Sequence, residues 1–196
     1  MRSILASVLT LLLTFSAPPA LAEVKLGGAP ATSVAVEPTR LDSLFSDLKR
    51  ERNERAAERI AGGIQQQWLR SGSASVDLML QWSDEAMKAR KFAVALDFLD
   101  QIVVLQPGFP EGWNRRATLH FMKDNYSKSM RDIDRVLQLE PRHFGALVGM
   151  ATILKNTGRK QLALDAYQRV LDVYPMMRSA QGEVATLAEE LAGEGI

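Results

Sequence analysis

Three prolines, Pro107, Pro141 and Pro175, stand 34 residues apart. Proline lacks an N–H and restricts the residue before it, so it ends helices. Equal spacing of such breaks means equal units. Other positions keep the same register without an insertion. Twenty-eight residues before each proline are Met79, Trp113 and Leu147, all large and apolar. Twenty-four before are the small Ser83, Ala117 and Ala151, and twelve before are the small Ala95, Ser129 and Ala163. Large and small residues four apart share one helix face. Such a pair lets a second helix lie close, so each unit is two antiparallel helices. The joining turns fall near Arg90-Lys91, Asp124-Asn125 and Gly158-Arg159.

The pattern resembles the tetratricopeptide repeat (TPR) family, whose 34-residue unit is a helix–turn–helix. In that family position 4 is bulky, 8 small, 17 aromatic, 20 small, 24 aromatic and 32 proline. The unit 110–143 supplies Trp113, Ala117, Tyr126, Ser129, Ile133 and Pro141. The unit 144–177 supplies Leu147, Ala151, Lys160, Ala163, Tyr167 and Pro175, with Lys160 departing from the aromatic. The unit 76–109 supplies Met79, Ser83, Phe92, Ala95, Leu99 and Pro107. His120 takes a place the family gives to a packing residue, so it is expected in the core. The resemblance implies an all-α fold: an α-solenoid of antiparallel helix pairs in a right-handed superhelix.

Counting back one unit gives 42–75, with Phe45 at position 4 and Ala61 at position 20. Lys49 and Ser73 replace the small residue and the proline. Residues 41–75 therefore read as a degenerate TPR-like hairpin, helices near 41–52 and 54–70, with Asn53 a cap between them. Residues 178–196 read as a capping helix and tail with Glu183, Glu189 and Glu190 outward, as solenoid ends require.

Upstream, Arg2 precedes an apolar run, Ile4 to Phe15, then Pro18-Pro19 and Ala20-Leu21-Ala22. This is the pattern of a secretory signal peptide, 1–22, cleaved after Ala22. The run is short for a membrane span, so no membrane anchor is expected after cleavage. Residues 23–40, with Gly27-Gly28, Pro30 and Pro38, read as a flexible linker. The expected location is the periplasm or the exterior.

Composition narrows the function. The 24 Lys+Arg balance 23 Asp+Glu, for a formal net charge of +1, which gives no basic surplus for nucleic acid. The interleaved Lys49–Arg59 charges read as a solvated face. With no cysteine, thiol nucleophiles, thiolate zinc sites and lipoprotein anchoring are excluded. His120 and His143, the two histidines, are spaced outside any i,i+4 metal pair. No H-E-x-x-H, G-x-S-x-G or Walker-type loop occurs. The expectation is no enzyme, no metal and no cofactor.

The resemblance implies instead a concave groove lined by positions 2, 5, 9, 12 and 13 of each first helix. Leu80, Met87, Asn114, Thr118, Phe121, Val148, Thr152 and Asn156 stand at such positions. Apolar groups with scattered amides suit an extended peptide or a partner helix. The expected function is a protein-interaction module or scaffold holding a partner of the cell envelope in that groove. The alternative is an assembly subunit or homo-oligomer using its outer face. The family's carboxylate-gripping Lys and Asn at positions 5 and 9 are replaced here by Leu80 and Asp84, so that mode is not expected.

Overall fold

The computed structural model describes residues 39–194. The signal pattern and most of the linker, residues 1–38, lie outside the described residues. Among the described residues there are nine helices and no strand. They are α1 (Arg40–Arg50), α2 (Glu54–Trp68), α3 (Ala74–Lys88), α4 (Phe92–Leu105), α5 (Pro110–Met122), α6 (Tyr126–Leu139), α7 (Phe144–Asn156), α8 (Lys160–Val173) and α9 (Arg178–Glu194). None is long and apolar enough to cross a membrane.

Helices α3–α9 form the solenoid. The pairs α3/α4, α5/α6 and α7/α8 pack tightly, and α4/α5, α6/α7 and α8/α9 link each pair to the next. The small residues named from the sequence hold the pairs close: Ser83, Ala117, Ala151, Ala95, Ser129 and Ala163 are all buried. Ser129 Oγ donates to the Ala117 carbonyl at 2.8 Å, tying position 20 to position 8.

The turn inside each pair has one geometry. Arg90, Asp124 and Gly158 occupy the same place in the 34-residue register and all have positive φ, 57°, 56° and 74°. The following N–H reaches back to the helix: Lys91 to the Ala86 carbonyl, Asn125 to His120 and Arg159 to Leu154. This is the Schellman ending, in which a left-handed residue satisfies the last carbonyls.

The seam between pairs is also repeated. Ile102, Val136 and Val170 at position 27 are fully buried. Position 3 of the next unit is small and buried each time, Gly112, Ala146 and Ala180, with Val136 and Ala146 in one core cluster and Val170 and Ala180 in another. A Cβ on Gly112 would come within 2.6 Å of Ile102 Cγ2.

One unit back, Trp68 and Leu78 hold the corresponding places. Two bulky side chains overfill a seam sized for an aliphatic on glycine or alanine. The α1–α2 hairpin therefore does not continue the stack as a degenerate first repeat. It forms, and Asn53 caps α2 by accepting from the Ala56 N–H at 3.0 Å, but α2 and α3 share almost no contact. Instead the hairpin packs on α7, α8 and α9. Phe45, Leu48, Ala57, Ala61, Ile64 and Trp68 join one core with Phe144, Leu147, Tyr174 and Leu187. The linker also ends earlier than Arg40. Thr39 and Asp42 form a capping box that starts α1 at Arg40.

Candidate functional site

The face between α5 and α7 carries the cavity of interest. Asn114, Thr118 and Phe121 of α5 face Val148 and Thr152 of α7 across a volume of about 200 Å³. Its floor is Ala117, Ile133 and Ala146, with Gly145 and Gly149 on α7. A Cβ at Gly149 would touch Ile133 Cδ1 at 3.4 Å, so the glycine leaves the space open.

The polar groups here are already engaged. Thr118 Oγ1 donates to the Asn114 carbonyl at 2.9 Å and Thr152 Oγ1 to the Val148 carbonyl at 2.8 Å. The Asn114 amide nitrogen donates to the Glu111 carboxylate at 3.2 Å. What the α5–α7 cavity presents is mainly methyl and methylene surface.

A second volume, about 360 Å³, shares Asn114, Thr118 and Gly145 with the first. The two form one trough. Its far wall is the end of the hairpin: Gln65, Trp68 and Leu69. Trp68 is fixed by stacking on His143, with ring centroids 3.9 Å apart and planes 10° from parallel. His143 caps α7, its Nδ1 accepting from the Ala146 N–H at 3.1 Å. The ring proton therefore lies on Nε2, which donates to Glu111 Oε2 at 3.2 Å. Glu111 also pairs with Arg115, whose Nε lies 3.3 Å from Oε1 and 3.1 Å from Asp84 Oδ1. Burial pushes the Asp84 carboxyl above its ordinary range, against the pull of Arg115.

The hairpin is further tied at its edge. Arg142 donates to Glu140 at 2.9 Å and to Asp42 at 2.7 Å, and its guanidinium sits 4.1 Å over the Phe45 ring. The Glu140 bonds, before all else, hold that guanidinium well above its usual range. Arg178 reaches Glu54 at 3.0 Å.

Of the eight residues picked from the sequence, the structure brings five into one cavity: Asn114, Thr118, Phe121, Val148 and Thr152. Leu80 is a correction. It is 3% exposed, in the α3–α4 core with Val76 and Leu99, and has no surface to offer a ligand. Met87 is partly buried against that core. Asn156 is exposed at the end of α7, outside the cavity lining. Gly145 also stands at a groove position by register; the sequence reading missed Gly149 and the hairpin wall. The spacing of four from Gly145, on one helix face, was the available signal for the first.

His120 is buried in the α4–α5–α6 region, beside Leu96 and Trp113 and the bidentate Arg116–Asp132 pair, whose two bonds are each 2.8 Å. Burial lowers its pKa. Among the described residues no group of His, Asp and Glu could hold a metal ion.

No family model matches the chain. It is 55% identical over 154 residues to a TPR repeat-containing protein of Rhizobium etli, an alignment covering 79% of this chain and 76% of the relative. Among solved structures, the first TPR of Spaghetti (RPAP3) bound to the HSP90 peptide SRMEEVD superposes with a TM-score of 0.57 at 19% identity, covering 60% of this chain and 93% of that one. The Sgt2 TPR domain from Aspergillus fumigatus gives 0.58 at 14% identity, covering 63% and 83%. These two likenesses carry the fold.

Proposed function

The chain belongs to the tetratricopeptide repeat family, and on that premise we propose that it is a non-enzymatic interaction module that holds a peptide or partner protein of the cell envelope in the trough between α5, α7 and the end of α2. The observation that carries this reading is the open apolar cavity on the α5–α7 face, lined by Gly145 and Gly149. Protein partners are often bound through such grooves by one or two anchoring side chains. The Spaghetti domain is bound to an HSP90 peptide. This chain differs at the family's carboxylate-gripping slots, with Leu80 buried and Asp84 acidic, so capture of a terminal carboxylate is not proposed. Both histidines are committed to packing, His143 as a cap and His120 beside an ion pair, which favours binding over catalysis.

The test is crosslinking in envelope extracts with wild type and the Asn114→Ala/Phe121→Ala double variant. Loss of the crosslinked partner by the folded variant supports the trough. Unchanged capture overturns it. Export rests on the residue 1–22 pattern, and N-terminal sequencing of the mature protein should start at Glu23.

A second reading, self-assembly, is favoured by one observation. Leu78 and Trp82 are 41% and 44% exposed, although the equivalent positions of later units are covered by the preceding pair. Light scattering after size exclusion should then show an oligomer that Trp82→Glu dissociates. A monomer for both proteins rejects this reading.

A further inference from the structure

The α3–α4 edge of the solenoid is barely touched by α2, and its side chains form one apolar band. Leu78 and Trp82 stand four apart on α3, and Val94, Phe98 and Leu105 recur on α4 at spacings of four and seven, so each set shares a helix face. The Trp82 and Phe98 rings, 5.6 Å apart, join the two faces. Val94 and Leu105 are 45% and 64% exposed. With Leu78 and Trp82 they make up four of the eight large apolar side chains exposed among the described residues. An aromatic pair flanked by aliphatic groups, with no charge at its centre, has the composition of an interface core.

The band is not shaped for one more repeat. Position 10 of the later units, Leu119, Ile153 and Leu187, is fully buried, with Leu119 in the α3–α4 core and Ile153 in the α5–α6 core. The equivalent residue of this unit is the exposed Glu85. A helix seated as a preceding repeat would bury that carboxylate without a partner and overfill the seam at Leu78. Head-to-tail growth lacks a matching surface at the other end. There α9 packs on α8 and exposes Ala185, Thr186, Ala188, Glu189 and Glu190, with no exposed large apolar side chain among its described residues.

We infer that two copies of this chain pair edge to edge through this band, about a two-fold axis beside Trp82. The pairing rests on the self-assembly reading and names its surface, its symmetry and its copy number. An uncharged apolar band matches itself, and a two-fold contact uses the same patch on both copies and closes after two. Side chains of this size at these exposures present on the order of 300 Å² of apolar surface, the scale at which a patch marks an interaction site. Two such bands supply the apolar centre of a standard interface of about 1,600 Å², the remainder being polar rim. Glu85 then lies at that rim, in water. Asn114, Phe121 and Val148 stand on α5 and α7, outside the band, so each copy keeps its trough.

The test is light scattering of the full protein over a dilution series, with Trp82→Glu, Leu105→Glu and, on an exposed apolar residue away from the band, Leu162→Glu. Wild type and Leu162→Glu should show twice the chain mass. Each band variant should raise the dissociation constant at least about 30-fold, the effect of losing a hot-spot side chain. The chain has no cysteine, so single Gln81→Cys, Glu85→Cys and Gln101→Cys substitutions report which residues meet. On oxidation at least one should link two copies through the same residue, which requires Cα atoms within about 7 Å across the axis. Circular dichroism checks the helical fold, and Leu105→Glu, at the exposed end of α4, carries the test if Trp82→Glu fails to fold. A monomer at every concentration overturns both this pairing and the self-assembly reading. An oligomer that neither band variant weakens, that Leu162→Glu weakens equally, that grows beyond two copies or that forms no same-residue link overturns the pairing and leaves self-assembly to another surface.

Discussion

Leu78 stands where Gly112, Ala146 and Ala180 stand in the three following units, and that one side chain changes the molecule. At Gly112 even a methyl group meets Ile102 Cγ2 at 2.6 Å and Phe109 at 3.3 Å. Gly112→Ala should therefore lower stability although alanine is the better helix former by about 1 kcal/mol. Overpacking costs about 1–3 kcal/mol, so thermal melting should show a net loss of about 1 kcal/mol. The intra-pair turns make the opposite prediction. Arg90 holds φ 57° without being glycine, a conformation costing an L residue about 1 kcal/mol. Arg90→Gly should raise the melting temperature, whereas Gly158→Ala, at φ 74°, should lower it. Position 7 shows how far one register can vary. It pairs with position 23 as Trp82 with Phe98, rings 5.6 Å apart, and as Arg116 with Asp132.

Among the elements, the α1–α2 hairpin is the one whose place depends on side-chain packing elsewhere. Its own formation is local: a capping box at Thr39, the Asn53 cap of α2 and the apolar stripe Phe45, Leu48, Ala57, Ala61 and Ile64. Its docking rests on Trp68 between His143 and Phe144, the latter with ring centroids 4.9 Å away. Trp68→Ala should cost about 3–5 kcal/mol, as for large aromatic truncations in cores. Because the hairpin barely touches α3, the loss should appear first as hydrogen exchange and proteolysis at residues 40–73, with α3–α6 still protected. Equal loss of protection in α3–α6 would show instead that the hairpin is part of one cooperative unit. Acid should loosen the same element. Asp42 is held below its ordinary pKa, first by Thr39 and then by Arg142. A lowered folded pKa gives stability that is complete above the unfolded carboxylate range and is lost as pH falls through the folded value.

Across the solenoid the carboxylates do not all act together. Asp84 is shifted upward, mainly by burial. The folded state then holds its proton more tightly than the unfolded chain. That contribution is present below the unfolded pKa and is lost as pH rises through the folded one. Asp84→Asn should accordingly raise the melting temperature at neutral pH, with the difference shrinking as pH drops below the carboxylate range. A constant difference at every pH would rule out ionisation as its source. What the sequence determined was everything with a period: the three helix pairs, their close-packed small residues and their turns, because each depends on neighbours 34 residues or fewer apart. That five of the eight chosen positions line one cavity has the same origin, since a helix face follows from position number. Leu80 failed because position 5 of α3 is turned into the α3–α4 core. The seat of the hairpin, the stacking of Trp68 on a residue 75 positions away, His143, and the second wall of the trough were decided only in three dimensions. Register names the seam where Trp68 and Leu78 should meet, but whether a seam closes is a question of volume, and volume is settled only when all the partners are in place.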